Sequence, residues 1–218
     1  RSDLNIVLTP EDLSLLKSNY GTGKERFEVL GAFEYKHIEH RAFKDVDEPA
    51  FLITGNLGAK QTEDSLIPWI KDYYQSLKDI FPQASLTLAG KNPTHKLLDL
   101  ASSKGIRVIP SPEDMQHILA GARYYICPVS LGGGLKLRVM DGLSSGLPVI
   151  CHEVSARGYE AFIDAGVLLP YHDLDSFRSQ LQKLGVARID KQKTIDIYTR
   201  LFSFESGVMR LKAIMEDL

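Results

Sequence analysis

The strongest constraint on the fold is a regular alternation of short apolar runs and helical segments that begins after Pro49. The apolar runs are predicted as strands over residues 50–54, 85–89, 106–109, 124–127 and 149–151. The segments between them have helical periodicity, over residues 66–81, 94–103, 113–120 and 135–144. This order predicts right-handed β-α-β units and an α/β fold with a Rossmann-like, doubly wound parallel sheet. Runs such as FLIT and YYIC are typical of strands covered on both faces.

Four segments of the 218-residue chain differ in pattern. Residues 1–33 predict only a short β-α-β unit, with a helix that starts at Thr9-Pro10 and ends at Gly21. Residues 34–49 are charged and aperiodic, which indicates an exposed linker containing a solvated His37 and His40. Residues 50–189 form the predicted α/β domain, and residues 190–218 predict closing helices that break near Ser203. The missing initiator Met and the early strand favour a piece cut from a longer polypeptide.

Composition and charge argue against several classes of function. The formal net charge is −2, so no overall field attracts nucleic acid, and we expect no nucleic-acid partner. No apolar run approaches the roughly 20 residues that a transmembrane helix needs. Cys127 and Cys151 lie in apolar runs, which indicates buried thiols in a reducing compartment rather than zinc ligands. These features favour a cytoplasmic location and predict no metal site.

Glycine-rich loops after the predicted strands are the candidate ligand site. In an open parallel sheet, ligands bind beyond the carboxyl ends of the strands, where the strand order reverses. Gly55 and Asn56 follow the first strand of the domain, and Gly132, Gly133 and Gly134 follow the fourth. Three glycines ahead of a helix let backbone amides approach a phosphate.

Charged residues follow this glycine loop at once. Lys136 and Arg138 can contact a diphosphate, and Asp141 can accept hydrogen bonds from hydroxyls. Together these residue types suit a nucleoside diphosphate carrying a sugar. The alternative is that the glycines only form tight turns and that Arg138 and Asp141 form a solvated i,i+3 salt bridge.

Residues outside this loop favour structural roles. Trp69, Tyr73 and Tyr74 have the spacing of a packed helix face. His152, at the end of a strand, is open to either a structural or a donor-binding role.

The run from Ala89 to Ile150 resembles the donor-binding domain of family 4 glycosyltransferases, which have the GT-B fold. The resemblance rests on the glycine loop, Arg138, Asp141 and the block Ser145-Gly146-Leu147-Pro148-Val149. It extends from about Phe51 to Leu218. It implies that residues 1–33 are a remnant of an N-terminal GT-B domain and that the closing helices pack back toward that domain.

The resemblance also implies roles for individual residues. Asp141 takes the place of the second Glu of an E-x7-E motif, which holds the donor ribose, while the first acidic position is Gly133. Many relatives have an Arg and a Lys after the first strand of this domain, and here Lys60 is the only basic residue in GNLGAK. The implied donor-binding set is Gly55, Asn56, Lys60, Gly132, Gly133, Gly134, Leu135, Lys136, Arg138 and Asp141.

The implied activity is transfer, with retention, of a sugar from a UDP- or GDP-sugar donor, with no cofactor and no metal required for binding. A glycan or lipid-linked acceptor would bind the missing N-terminal domain, so this piece alone would be inactive. Contact with the inner face of a membrane is compatible with such a protein. Two alternatives stay open: a non-catalytic nucleotide-sugar-binding module and a GT-B-type sugar-nucleotide epimerase.

Overall fold

A computed structural model describes residues 4–20, 26–38, 40, 46–186 and 190–217. Gly21, predicted to end the first helix, lies outside the described residues. So do residues 41–45 of the predicted linker and residues 187–189 at the end of the predicted domain.

Eight strands are present among the described residues, and all of their pairings are parallel. They are β1 (Asn5–Val7), β2 (Phe27–Val29), β3 (Ala50–Asn56), β4 (Ser85–Lys91), β5 (Arg107–Pro110), β6 (Tyr124–Cys127), β7 (Val149–His152) and β8 (Leu168–Tyr171). β1 and β2 form a separate two-stranded sheet, and the other six form one sheet in the order β5-β4-β3-β6-β7-β8.

Eleven helices connect or follow these strands within the described parts of the chain. They are α1 (Pro10–Tyr20), α2 (Lys60–Asp72), α3 (Tyr74–Ile80), α4 (His95–Ser103), α5 (Met115–Ala120), α6 (Arg138–Ser144), α7 (Glu153–Ala156), α8 (Glu160–Asp164), α9 (Leu174–Val186), α10 (Lys191–Phe202) and α11 (Phe204–Glu216). No helix in these described parts is long and apolar enough to cross a membrane.

The large sheet reverses its strand order between β3 and β6. From β3 the chain builds outward through β4 and β5, and it then returns to add β6, β7 and β8 on the other side. The predicted fold class, an α/β protein with a doubly wound parallel sheet, is confirmed. The reversal brings the loop after β3 next to the loop after β6, as the ligand-site argument requires.

Each face of the sheet carries its own hydrophobic core. Phe51 and Ile53 of β3 pack on one face and Leu52 on the other, because successive side chains of a strand alternate between faces. Both cysteines are buried free thiols, as predicted, and burial raises their pKa. Trp69 and Tyr74 are buried in the first core, which confirms their packing role.

The predicted exposed linker is wrong at Glu34 and His40. Both side chains are only 8% exposed, and Glu34 Oε1 lies 2.7 Å from His40 Nε2. The Tyr198 hydroxyl of α10 donates a hydrogen bond to the same oxygen at 3.1 Å. A charged, aperiodic pattern does not reveal that a distant helix supplies a buried partner. His37 is exposed, as expected, and pairs with Glu205.

The closing helices contact the chain just after β2. The Arg210 guanidinium of α11 donates to the Leu30 carbonyl oxygen at 2.9 Å, and the Glu34 amide donates to the Phe202 carbonyl oxygen at 2.9 Å. Ser203 caps the amide of Ser206 and so starts α11 at the predicted break.

The packing of α6 on β6 generates a stability prediction. A Cβ atom added to Gly142 would lie 2.7 Å from Tyr125 Cγ. We expect Gly142→Ala to destabilise the protein by about 1–2 kcal/mol, because overpacking exceeds the gain in helix propensity. Chemical denaturation measures this change.

Gly121→Ala is the matched control, since the nearest atom to its added Cβ is the Ile118 carbonyl oxygen at 3.6 Å. A Gly142→Ala protein as stable as wild type would show that α6 lies farther from the sheet.

Candidate functional site

A cleft of 380 Å³ opens at the carboxyl ends of β3, β4 and β5. Its walls come from the ends of β3 and β4, the loop after β5, and the helices α5 and α6. It is lined by Gly55, Asn56, Gly90, Lys91, Ser111, Pro112, Met115 and Asp141. Of the predicted donor-binding set, the structure therefore brings Gly55, Asn56 and Asp141 together in one cleft.

The floor of the cleft depends on a close approach of two strand ends. A Cβ atom on Gly90 would lie 1.8 Å from the Gly55 carbonyl oxygen, so no larger residue fits there. Gly55 itself has φ +126°, a conformation that side chains rarely adopt. These two glycines therefore line the cleft with backbone atoms rather than side chains.

The Arg138 side chain reaches across from α6 to the loop after β3. A Cβ atom on Gly55 would lie 3.1–3.3 Å from three guanidinium atoms of Arg138. The Arg138 Nη2 atom donates to Thr62 Oγ1, in the first turn of α2, at 2.9 Å. The Nη1 atom is buried and has no partner among the described residues. A cation is thus held at the point where the strand order reverses.

A directed chain of hydrogen bonds fixes the Asp141 carboxylate. The Thr54 hydroxyl donates to Asp141 Oδ2 at 2.6 Å. Because that hydroxyl has one proton, the Tyr125 hydroxyl, also 2.6 Å from Thr54 Oγ1, must donate to Thr54. Burial raises the pKa of the Asp141 carboxyl, while the Thr54 hydrogen bond and the Arg138 charge act in the opposite direction. Thr62 thus holds Arg138, and Thr54 holds Asp141. The alternative of a solvated Arg138–Asp141 salt bridge is therefore wrong.

The glycine loop is braced by α2. The Gln61 amide donates to the Leu131 carbonyl oxygen, and Ser65 Oγ accepts from the Ser130 amide at 3.2 Å. Gly132 and Gly133 are exposed, and Gly134 is half-buried. Two residues of α2 therefore fix the first part of the loop, while its glycines stay accessible.

Leu135 and Lys136 follow the glycines in a segment without regular secondary structure. The Lys136 ammonium donates to the Gly133 carbonyl oxygen at 2.8 Å, and burial lowers its pKa. Leu135 lies close to Gly158, where an added Cβ would be 2.3 Å from it. The prediction that a helix starts at residue 135 is wrong, because α6 begins at Arg138. The amides next to the glycines belong to a loop and not to the first turn of a helix.

Lys60 and Asn56 occupy different surroundings. The Lys60 ammonium pairs with Asp64 Oδ2 at 2.7 Å, and its side chain is 88% exposed. Asn56 lies at the rim of the cleft, where its side-chain oxygen is 3.5 Å from the side-chain nitrogen Nδ2 of Asn92. The structure thus turns the only basic residue of GNLGAK toward its own helix.

His152 has a structural role in this chain. Its Nδ1 atom accepts a hydrogen bond from the Val154 amide at 3.2 Å and caps the short helix α7. Its ring packs edge-on against Tyr171, and burial lowers its pKa.

The sequence prediction missed the residues that hold the charged groups. Thr54 and Tyr125 fix Asp141, while Gln61, Thr62 and Ser65 fix Arg138 and the glycine loop. Thr54 has a weak sequence signal, because it is a polar residue at the carboxyl end of an apolar strand. The three residues of α2 have none, since their partners lie about 65 to 76 positions away along the chain.

Residues 48–185 match the family described as group 1 glycosyl transferases. The match covers more than half of the chain, so this protein belongs to that family. No curated protein sequence matches the chain.

Several solved glycosyltransferase structures share the fold. The pneumococcal O-GlcNAc transferase GtfA, solved with UDP and GlcNAc, is 18% identical with a TM-score of 0.66, over 98% of this chain and 45% of that one. An S. aureus TarM variant, solved with UDP among other ligands, is 15% identical with a TM-score of 0.71, over 95% and 43%. Anabaena HepE with UDP-glucose is 10% identical with a TM-score of 0.70, over 100% and 64%. This chain therefore spans less than two thirds of each of these structures.

The buried Asp141 carboxyl generates a prediction on pH. Because its pKa is raised in the folded state, it contributes stability at low pH that is lost as pH rises through the folded pKa. We expect Asp141→Asn, which can still accept from Thr54, to remove this loss, so that the variant gains stability relative to wild type between acid and neutral pH. The free energy of unfolding against pH measures the effect.

Asp173→Asn is the control, because its expected effect on the pH dependence of stability has the opposite sign. Hydrogen bonds from Ser176 lower the pKa of Asp173, so this exposed residue contributes stability above its unfolded pKa and loses it in acid. Parallel pH profiles for wild type and Asp141→Asn would contradict the burial of Asp141.

Proposed function

We propose that this chain is the donor-binding half of a glycosyltransferase that uses a nucleoside-diphosphate sugar. The observation that carries the proposal is the Arg138 guanidinium held against Gly55, at the point where the sheet reverses its strand order. A cation there faces the place where ligands of doubly wound sheets bind.

Two further sources of positive potential surround Arg138. The N-cap of the 13-residue helix α2 is Ala59, which has no side-chain cap. The Glu63 carboxylate of its first turn accepts from the Thr94 hydroxyl at 2.6 Å, so the first backbone amides of the helix lack a capping side chain. Across from it lie the exposed Gly132 and Gly133 and the Lys136 ammonium. A diphosphate between α2 and the glycine loop would be neutralised from both sides.

One turn farther along α6, Asp141 suits a ribose. The Asp141 carboxylate is oriented by Thr54, lines the cleft, and can accept hydrogen bonds from ribose hydroxyls. Uridine is the base that we favour, since the GtfA, TarM and HepE structures were each solved with UDP or UDP-glucose. GDP-sugars are the alternative donors.

The proposed chemistry is charge stabilisation on the leaving group. Sugar transfer breaks the bond between the anomeric carbon and the diphosphate oxygen, and the leaving diphosphate takes the electron pair. Arg138, Lys136 and the loop amides would stabilise the added negative charge. The proposal has three further parts. The transfer retains the configuration of the sugar, the acceptor is a glycan or a lipid-linked molecule bound by other parts of a longer enzyme, and the reaction takes place in the cytoplasm.

Calorimetric titration with UDP, GDP and their sugars tests the donor site. We expect saturable binding of one nucleotide family, with UDP favoured. Arg138→Ala should weaken it by about 1.5–3 kcal/mol, or roughly 10- to 100-fold, because a charge-assisted contact is lost.

Arg107→Ala is the matched control, because this exposed arginine is the first residue of β5, at the amino ends of the strands and away from the cleft, and should leave affinity unchanged. If the folded chain binds none of these nucleotides, or if both variants bind as wild type does, the proposed donor site is wrong.

The glycine loop supplies a second test with a matched control. Gly132 has φ +79°, and a Cβ atom on it would lie 1.8 Å from the Gln61 side-chain nitrogen. Gly132→Ala should therefore weaken UDP binding by about 1–3 kcal/mol. Gly166 has a similar φ of +72° but precedes β8, at the amino ends of the strands and away from the site. Gly166→Ala should therefore change UDP affinity by less than about 0.5 kcal/mol. Equal effects of the two substitutions would contradict the geometry of the loop.

The second candidate is a non-catalytic nucleotide-sugar-binding module, which the outward orientation of Lys60 favours. Comparing UDP with UMP separates the two candidates. A working diphosphate clamp binds UDP about tenfold or more tightly than UMP, since the second phosphate gains charge-assisted contacts. Equal affinities would favour the module whose clamp has been lost.

A further inference from the structure

The segment GNLGAK, from the end of β3 to the start of α2, has no arginine, and its lysine is turned away. Lys60 pairs with Asp64 in the exposed first turn of α2. The cation next to Gly55 is instead Arg138, which comes from the far side of the site. Since Arg138 has a long and flexible side chain, something must keep it there rather than in solvent.

Charges of both signs act on Arg138 at this position. Its guanidinium lies beside the first turn of α2, which is the positive end of that helix but also carries the Glu63 carboxylate. The Asp141 carboxylate, one turn along α6, attracts the guanidinium, and the Arg138 charge in turn acts to lower the pKa of Asp141. The contact that fixes the direction of the guanidinium is the 2.9 Å hydrogen bond from Arg138 Nη2 to Thr62 Oγ1.

Thr62 is well suited to hold a guanidinium. Its side chain is 2% exposed and β-branched, so its rotamer is restricted. Its neighbours on the same helix, Gln61 and Ser65, hold Leu131 and Ser130 of the glycine loop. The start of α2 thus fixes the arginine and the loop relative to each other.

We propose that Thr62 is a positioning residue for the donor diphosphate, because its hydroxyl holds the Arg138 guanidinium against Gly55 between α2 and the glycine loop. The inference rests on the proposed donor site. In this proposal Arg138, held by Thr62, takes the place of the arginine that GNLGAK lacks. The anion then binds to a guanidinium that is already in place, so less conformational entropy is lost on binding.

Titration of the full chain with UDP tests the role of the hydroxyl. Thr62→Val keeps the shape and removes the hydroxyl, and we expect UDP affinity to fall about five- to tenfold, since one hydrogen bond to a charged group is lost. Thr62→Ser restores the hydroxyl and should bind within about threefold of wild type. Thr62→Ala serves in the same way if Thr62→Val does not fold, as thermal melts will show.

A double-mutant cycle separates positioning from a general effect on structure. In the Arg138→Ala background, Thr62→Val should cause no further loss of UDP affinity, because the hydroxyl acts through the guanidinium. An additive loss in that background would overturn the inference.

The inference and the proposed function fail in different ways. If Arg138→Ala weakens UDP binding while folded Thr62→Val and Thr62→Ala bind as wild type does, the donor site stands and the role of Thr62 is wrong. If Arg138→Ala also binds as wild type does, the donor site itself is wrong, and the inference falls with it.

Discussion

The site depends on one long-range contact, between the start of α2 and the residues that follow β6. The hydrogen bond from Arg138 to Thr62 and the contacts of Gln61 and Ser65 with the glycine loop join segments about 65 to 76 residues apart. They can form only because the sheet reverses its strand order between β3 and β6, which makes these segments neighbours. The fold therefore creates the site by topology, and the side chains of α2 then fix its geometry.

Two opposite charges are held one turn apart on α6 at this site. Arg138 lies at the start of α2, and its Nη1 atom is buried without a partner among the described residues. Burial raises the pKa of Asp141, while the Arg138 charge and the Thr54 hydrogen bond act in the opposite direction. A ligand with an anionic part near Arg138 and hydroxyls near Asp141 would supply hydrogen-bond partners to both residues. A nucleoside diphosphate has this combination of groups.

Periodicity was sufficient for the fold, because the alternation of apolar runs and helices after Pro49 encodes the β-α-β order directly. Gly55, Asn56, the glycine loop, Arg138 and Asp141 could be named because they follow strands, where ligands of such sheets bind. Other features could not be predicted from the sequence, since each depends on a partner far away along the chain or on a local ion pair. They are the start of α6, the burial of Glu34 and the outward orientation of Lys60. Thr62 and Tyr125 show the same limit: both are buried, and sequence patterns treat such residues as core.

The most direct test of this account is a crystal structure of the chain with UDP bound. We expect the diphosphate to lie within hydrogen-bond distance of the Arg138 guanidinium and the glycine-loop amides. The ribose hydroxyls should donate to the Asp141 carboxylate, and Arg138 should keep its hydrogen bond to Thr62. UDP bound away from this cleft, or a diphosphate whose only cationic partner is a reoriented Lys60 while Arg138 points into solvent, would contradict it.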